Sequence, residues 1–278
     1  MRALIIDLVI SAVFIGCTPI LSVDASTQSV YHFSDTDKNI SLLDISETFG
    51  TYDGSFVLYD NNLDSWKIYD LEEATKRIPP ESTYKIYDAL LGLESGIITP
   101  EHSSMTWNGD AFPFPSWEAD QDLNSAMQNS VNWYFQAIDS QLGINRVQEF
   151  LNKIEYGNQT TSSNLDLYWS DFSLKISPLE QVTLLKKFNT NEFHLNSQNV
   201  FSVKNAIKIA STPNGNFYGK TGTGRVNGQD INGWFIGYVE TSDNSYYFAT
   251  NIQSDSNATG KKAFEITSDI LKKLHIWN

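Results

Sequence analysis

Alternation of hydrophobic and polar residues predicts β-strands near both ends of the chain. Towards the N-terminus, GSFVLYD (Gly54 to Asp60) and SWKIYD (Ser65 to Asp70) predict two strands joined by the turn NNLD. Towards the C-terminus, NFYGKTGTGR, NGWFIGYVET and SYYFATNIQ predict three more strands, with SDN as the turn between the last two. We therefore expect one sheet that combines strands from both ends of the chain.

Helical periodicity dominates the middle of the chain. The segment from Pro79 to Gly96 begins with two prolines and ends at a glycine, which are typical start and stop signals of a helix. LNSAMQNSVNWYFQAIDSQLG (Leu123 to Gly143) has helical spacing, and so does INRVQEFLNKIEYGN, which follows it. SPLEQVTLLKKF predicts a helix with Ser177 and Glu180 as a capping box. GKKAFEITSDILKKLHIW predicts a final amphipathic helix, so most helices form an insertion between the two groups of strands.

The N-terminal end predicts an export segment in residues 1–25. Arg2 is followed by the apolar run LVISAVFIGCTPILSV, which is typical of a signal sequence. Three alternatives remain open: a signal peptide cleaved after Ala25, a lipoprotein signal with Cys17 as the lipid-bearing residue, or an uncleaved membrane anchor. Each alternative places the rest of the chain outside the cytoplasm, either secreted or on the extracellular face of the cell membrane.

Residues 26–50 are polar, rich in Ser and Asp, and predict a linker, so residues 51–278 form the expected domain. Apolar residues make up 41% and charged residues 19% of the chain, which permits a substantial core. The net charge of −14 argues against a nucleic-acid partner, because duplex binding requires a basic face. The single cysteine excludes an intrachain disulfide, and no Cys/His spacing predicts a metal site.

STYK is the first of three polar motifs that could carry chemistry. Ser82 and Lys85 are three residues apart, so a helix places both side chains on one face. A serine becomes a nucleophile when a base removes its proton, and a lysine can be that base if burial keeps its amine neutral. The free N–H groups of the helix N-terminus could also stabilise an oxyanion. Alone, the motif is better explained as a capping serine beside a solvated lysine, because S-x-x-K arises by chance about once in a chain of this length.

KTGTG, at residues 220–224, is the second motif and lies on a predicted strand. Strand alternation sends Lys220 and Gly222 to one face, and Thr221 and Thr223 to the other. Glycines let a ligand approach the backbone closely, and a lysine with threonines suits a carboxylate. An exposed edge strand with a solvated lysine is the structural alternative.

NSVNWYF is the third motif, with Ser130 and Asn132 as polar residues in an otherwise apolar segment. Alone it would predict only a polar helix face. S-x-x-K, S-x-N and K-T-G together, in this order and on these element types, form the signature of the penicillin-recognising serine acyl enzymes. YGN, the pair Tyr168 and Trp169, and GWFIGYVE extend the similarity from about Tyr52 to the end of the chain. The chain resembles class D (OXA-type) β-lactamases, and equally the extracellular sensor domain of the membrane-bound penicillin receptors that induce β-lactamase expression.

The resemblance implies an α/β, penicillin-recognising serine hydrolase fold: an antiparallel sheet from both termini, flanked by helices, with a helical insertion. It implies hydrolysis of β-lactam antibiotics through an acyl-enzyme on Ser82. Lys85 would carry a carbamate formed with carbon dioxide and would act as general base for acylation and deacylation. Trp169 would donate its indole N–H to that carbamate, and Ser130 would relay a proton to the lactam nitrogen. The resemblance implies no metal and no cofactor beyond carbon dioxide.

The same resemblance implies how a β-lactam is held. Lys220, Thr221 and Thr223 would bind its carboxylate along the strand that contains Gly222, and the backbone N–H groups of Ser82 and Thr223 would form the oxyanion hole. Small β-lactam molecules are therefore the expected partners, with a membrane tether as one alternative for the N-terminus. The arginine that usually binds the carboxylate in this family has no clear counterpart, and the nearest arginine is left unassigned.

Asn132, which would also line the substrate site, departs from the class D pattern. Class D enzymes usually have a hydrophobic residue here, whereas the sensor domains typically have asparagine. A polar group beside Lys85 could destabilise the carbamate after acylation, and the acyl-enzyme would then persist. The single export-like segment and the absence of H-E-x-x-H favour a free-standing enzyme over a receptor with several membrane spans and a zinc protease segment. We therefore predict a secreted or membrane-tethered class D β-lactamase, with a slowly deacylating penicillin sensor as the alternative.

Overall fold

The computed structural model describes residues 39–278, so the predicted export segment lies outside the described residues. The described chain forms a seven-stranded sheet in the order β1-β3-β2-β7-β6-β5-β4. Neighbouring strands are antiparallel, except that β1 runs parallel to β3. The strands are β1 Ile40–Leu42, β2 Asp53–Asp60, β3 Ser65–Tyr69, β4 Lys208–Thr212, β5 Gly215–Val226, β6 Gln229–Glu240 and β7 Ser245–Gln253.

Helices cover both faces of this sheet. One apolar cluster lies between the sheet and the helical insertion and includes Leu90, Phe135 and Trp234. A second cluster lies between the sheet and the C-terminal helix and includes Phe248 and Ile266. Among residues 39–278, no helix is both long and apolar enough to span a membrane. The helices are α1 Ser46–Phe49, α2 Leu71–Thr75, α3 Lys85–Glu94, α4 Leu123–Gln128, α5 Asn132–Leu142, α6 Ile144–Ile154, α7 Pro178–Asn189, α8 Ser197–Ala206 and α9 Gly260–Lys273.

The pairing of β2 with β7 joins the two ends of the chain at the middle of the sheet. β2 is buried along its whole length apart from Asp53, because both of its faces are covered. The expected sheet built from both termini is therefore confirmed, with the parallel β1 as an addition. The predicted helix after Pro80 is also observed; it ends at Glu94, two residues before Gly96, whose φ of +71° suits glycine.

The predicted continuous helix from Leu123 to Gly143 is wrong, because the structure divides it into α4 and α5. The break falls at residues 129–131, where Ser130 has a left-handed backbone with φ of +56°. An α-helix cannot continue through a residue in that conformation. The break therefore falls within the S-x-N motif.

Residues 40–49, which the sequence assigned to a linker, belong to the folded domain. β1 pairs with β3 in the register that sets Ile40 opposite Trp66. The ring of Phe49, at the end of α1, is buried and stacks on Tyr69 with ring centroids 4.4 Å apart. The few apolar residues in this polar segment are therefore sufficient to attach it to the edge of the sheet.

A buried ion pair joins the start of α7 to the segment that precedes α3. The Arg77 guanidinium donates to the Glu180 carboxylate, with Nε 3.0 Å from both carboxylate oxygens. The Arg77 side chain is 12% exposed and that of Glu180 is 9% exposed. Glu180 Oε2 also accepts from the Ser177 N–H at 2.9 Å, which completes the predicted capping box.

We expect Glu180→Ala to lower the free energy of unfolding by about 3 kcal/mol, because it leaves a largely buried guanidinium and a buried N–H without their acceptor. Glu265→Ala is the matched control, since it breaks only an exposed pair with Lys262 on α9 and should cost less than about 0.5 kcal/mol. Urea denaturation followed by circular dichroism measures both values. Equal losses in the two variants would contradict this account of the ion pair.

Candidate active site

Ser82 lies in a 3₁₀ turn, Glu81–Tyr84, that continues directly into α3. The Pro79 carbonyl accepts from the Trp234 indole N–H at 2.8 Å, which ties this turn to β6. Lys85, the first residue of α3, places its amine 3.0 Å from Ser82 Oγ. The two residues of the S-x-x-K motif therefore meet as a hydroxyl and an amine within hydrogen-bonding distance.

The Lys85 side chain is fully buried in the core. Burial lowers the pKa of Lys85 well below its ordinary value, and the charge of Lys220 lowers it further. Asp88 and Glu81 act in the opposite direction, with smaller effects. A neutral amine at neutral pH is the form that can take a proton from a hydroxyl or react with carbon dioxide. The expectation of a desolvated lysine is thus met.

The break between α4 and α5 brings the S-x-N motif to this amine. The left-handed backbone of Ser130 directs its carbonyl to Lys85 Nζ at 2.8 Å. Ser130 Oγ lies 3.3 Å from the same amine and 2.9 Å from Lys220 Nζ. Asn132 begins α5, and its Oδ1 accepts from Lys85 Nζ at 2.5 Å. The break in the helix at Ser130, which the sequence pattern did not predict, therefore positions the side chains of Ser130 and Asn132 beside Lys85.

Lys220 approaches Ser130 from β5, so that Ser130 Oγ contacts both lysine amines. It is almost fully buried, and it donates to Ser130 Oγ and to the Thr221 carbonyl. Burial lowers the pKa of Lys220 to about 7. A carboxylate bound beside this amine would favour its charged form and raise the pKa again. The K-T-G motif therefore supplies a buried amine whose charged form a bound anion would favour.

The alternation predicted for β5 is observed. Lys220 faces Ser130, whereas the threonines face the C-terminal helix, and Thr223 Oγ1 accepts from the Gly260 N–H at 2.8 Å. The Thr223 hydroxyl retains its proton for donation. The assignment of Thr221 and Thr223 to carboxylate binding remains a prediction.

Gly222 allows β5 to lie against the turn that contains Ser82. A Cβ atom at this position would lie 3.1 Å from the Pro80 carbonyl oxygen and 3.2 Å from the Ser82 nitrogen, which is closer than most Cβ contacts. The close approach brings the Ser82 N–H beside the strand that carries Thr223. The assignment of the Ser82 and Thr223 N–H groups to an oxyanion hole remains a prediction.

Trp169 lies beside the turn that contains Ser82, where its carbonyl accepts from the Glu81 N–H at 3.0 Å. Its ring is buried and stacks on Tyr84, with ring centroids 6.2 Å apart. Among the hydrogen bonds within residues 39–278, none joins the Trp169 indole N–H to Lys85. Its proposed role as donor to a carbamate is therefore untested by this geometry.

Three buried acids beside the site were missed by the sequence motifs: Glu81, Asp88 and Asp139. Burial raises the pKa of Asp88 and of Asp139 well above the ordinary value, and the charge of Asp139 raises that of Asp88 further. Burial likewise raises the pKa of Glu81, to about 8. Sequence signals existed, because Asp88 is one turn after Lys85 on an apolar helix and Glu81 directly precedes the serine.

The family model of the penicillin binding protein transpeptidase domain matches residues 48–272. The chain belongs to the penicillin-binding protein transpeptidase domain family. Within this family, the chain is 44% identical to regulatory protein BlaR1 of Bacillus licheniformis over 99% of its own length, but over only 45% of the length of that protein. It is 37% identical to the probable β-lactamase YbxI of Bacillus subtilis (strain 168), over 84% of this chain and 86% of that protein.

Among solved structures, the C-terminal domain of the Bacillus licheniformis BlaR penicillin-receptor matches with a TM-score of 0.84 and 46% identity, covering 86% of this chain and 98% of that domain. Class D β-lactamase structures match the same family fold. The resemblance to class D β-lactamases and to penicillin-receptor domains is therefore confirmed, as is the α/β fold. The chain therefore has the fold that the penicillin-receptor domain and the class D β-lactamases share.

Proposed function

We propose that this domain is acylated by β-lactams at Ser82 and retains the acyl group for a long time, as a penicillin-sensing domain does. The observation that carries this proposal is the 2.5 Å contact between Asn132 Oδ1 and Lys85 Nζ. In this arrangement Asn132 turns its amide oxygen, an acceptor, towards Lys85, and so its hydrogen bond stabilises the amine. A carbamate at the same place would require the amide to turn its NH2 group inwards instead, so the observed orientation favours the amine form of Lys85.

Acylation requires one proton to leave Ser82 and one to reach the lactam nitrogen. The neutral Lys85 amine, 3.0 Å from Ser82 Oγ, would accept the first proton as Oγ attacks the lactam carbonyl carbon. The carbonyl C–N bond would then break. Ser130 Oγ would pass its proton to the departing nitrogen and would take a replacement from the Lys220 ammonium, which a bound carboxylate keeps charged, so that Lys85 retains the proton of Ser82.

Deacylation would require a base that activates water beside the ester. After acylation, Lys85 would hold a proton and keep the Asn132 and Ser130 oxygens as acceptors. A protonated amine cannot accept a proton from water. The acyl-enzyme would therefore persist, and the first half-reaction would occur without the second.

Hydrolysis through a carboxylated Lys85, which the sequence favoured, is the second candidate. It is supported by the identity to the probable β-lactamase YbxI, which this chain covers over most of its length. The buried and neutral character of Lys85 would also permit reaction with carbon dioxide. The two candidates share Ser82 as nucleophile and differ in the fate of the acyl group.

Mixing the domain with an excess of a chromogenic cephalosporin in bicarbonate buffer distinguishes them. We expect a burst of about one product per protein molecule, followed by turnover at least about a hundredfold slower than the burst. Sustained turnover without a stoichiometric limit would indicate the hydrolase. A protein with neither a burst nor a covalent adduct would contradict both candidates.

A further inference from the structure

Glu81 directly precedes the nucleophile, and the proposed reaction does not use it. Its side chain is 5% exposed, and its backbone is left-handed with φ of +52°. The Glu81 N–H donates to the Trp169 carbonyl at 3.0 Å, and Asn232 Nδ2 donates to Glu81 Oε1 at 3.2 Å. The residue is therefore fixed between the loop that carries Trp169 and strand β6.

The Glu81 side chain lies against β5, in space left by the two glycines of KTGTG. A Cβ atom at Gly222 would lie 3.0 Å from the Glu81 Cβ, and one at Gly224 would collide with Glu81 Oε1. Glu81 also borders a small cavity whose wall includes Phe172 and Arg225. β5, which approaches the Ser82 N–H at Gly222, thus also encloses the Glu81 carboxyl at Gly224.

The surroundings of this carboxyl favour its protonated form. Burial raises its pKa to about 8, which outweighs the lowering effects of the Asn232 hydrogen bond and the charge of Lys85. The charged groups near it come from several elements. Lys85 lies on α3 and Lys220 on β5. Arg225 on β5 lines the cavity and pairs with Asp230 on β6, and Glu73 on α2 accepts from Gln253, which also lines the cavity.

We propose that Glu81 is a positioning residue for acylation of Ser82, one that supports the step while its carboxyl is protonated and slows the step when it ionises. This inference rests on the proposed acylation. Negative charge develops on the lactam oxygen near the Ser82 N–H during attack, and a carboxylate on the adjacent residue would repel that charge. The same carboxylate would favour the protonated form of Lys85, which cannot act as a base.

Both effects reduce the acylation rate as the pH rises through the pKa of Glu81. Below that pKa the carboxyl is neutral and the rate is unimpeded; above it the site contains an additional buried anion. Lys220, whose pKa is near 7, also loses its charge as the pH rises and would weaken carboxylate binding. A pH profile of the wild-type protein alone therefore cannot assign the loss of rate to Glu81.

Glu81→Gln separates the two groups, because glutamine has the same shape and never ionises. Second-order rates of labelling by a fluorescent penicillin are measured from about pH 6 to about pH 10 for wild type, Glu81→Gln and the control Glu265→Gln on the outer side of α9. Between pH 7.5 and pH 9.5 we expect the rates of wild type and Glu265→Gln to fall at least about fivefold further than the rate of Glu81→Gln, whose remaining fall comes from Lys220.

A rate that falls equally in Glu81→Gln would overturn the inference and assign the loss to another group such as Lys220. Failure of the wild type to be labelled at any pH would instead overturn the proposed acylation, and the inference with it. Glu81→Ala is measured in parallel, because a smaller side chain needs no new contacts. It should show the same smaller alkaline loss as Glu81→Gln, even if its rate is lower at every pH.

Thermal unfolding checks the buried proton independently of the reaction. Between the ordinary carboxyl pKa near 4.5 and the raised value near 8, the folded protein binds one proton more at Glu81 than the unfolded chain does. Wild-type stability should therefore fall with rising pH over this interval, relative to Glu81→Gln. Parallel pH profiles of the unfolding midpoint would show that Glu81 is already ionised at neutral pH and would overturn the inference.

Discussion

Ser82→Ala is expected to abolish covalent labelling of the protein by penicillin, with the labelling rate lowered by at least about a thousandfold. Two hydroxyls hydrogen-bond the buried amine of Lys85: Ser82 Oγ at 3.0 Å and Ser130 Oγ at 3.3 Å. Of these, Ser82 lies at the start of α3, where free N–H groups can stabilise an oxyanion. Ser130 instead lies between two lysine amines, which suits proton transfer to a leaving group.

Intact-mass spectrometry after incubation with benzylpenicillin measures this loss, because an acyl-enzyme adds the whole mass of the ligand. Ser95→Ala is the matched control, since it removes a hydroxyl at the opposite end of the same helix. It should be labelled as the wild type is. An adduct on the Ser82→Ala protein would show that another side chain is the nucleophile, and peptide mapping would test Ser130 first.

Asn132→Val is expected to accelerate deacylation by at least about tenfold. The substitution removes the amide oxygen that accepts from Lys85 Nζ and replaces it with an apolar group of similar size. Lys85 would then lose an acceptor that favours its protonated amine, and its neutral form could react with carbon dioxide. The resulting carbamate would supply the base that activates the deacylating water.

The deacylation rate is measured by removing free ligand from acylated protein and following the loss of adduct by intact mass in bicarbonate buffer. Asn129→Val is the control, because it makes the same substitution at the end of α4, outside the contacts of Lys85. Its adduct should persist as in the wild type. An adduct on Asn132→Val that is equally stable or more stable would remove Asn132 as the reason for slow deacylation.

The sequence predicted the helices and strands that have a strong local pattern of apolar residues or a capping motif. β2, β5, β6 and β7 alternate or run apolar, and α7 has its capping box in the sequence. β4 and α8 were missed because they offer little apolar pattern. β4 is largely exposed at the edge of the sheet, and α8 buries only four of its ten residues.

The site was predictable as a set of motifs but not in its backbone details. The break at Ser130 depends on contacts with Lys85 and Lys220, which are 45 and 90 residues away in the chain. The burial of Glu81 depends on glycines in β5 that no local pattern relates to it. Tertiary contacts therefore determine which side chains lose water, and so which groups have altered pKa values.

The charge and covalent state of Lys85 after acylation is the central claim. Carbon-13 NMR of the protein in labelled bicarbonate detects a lysine carbamate directly, before and after a saturating dose of β-lactam. The account predicts no carbamate resonance in the acylated wild-type protein, and a resonance in acylated Asn132→Val. A carbamate signal that persists in the acylated wild type would contradict it, because the base for deacylation would then be present.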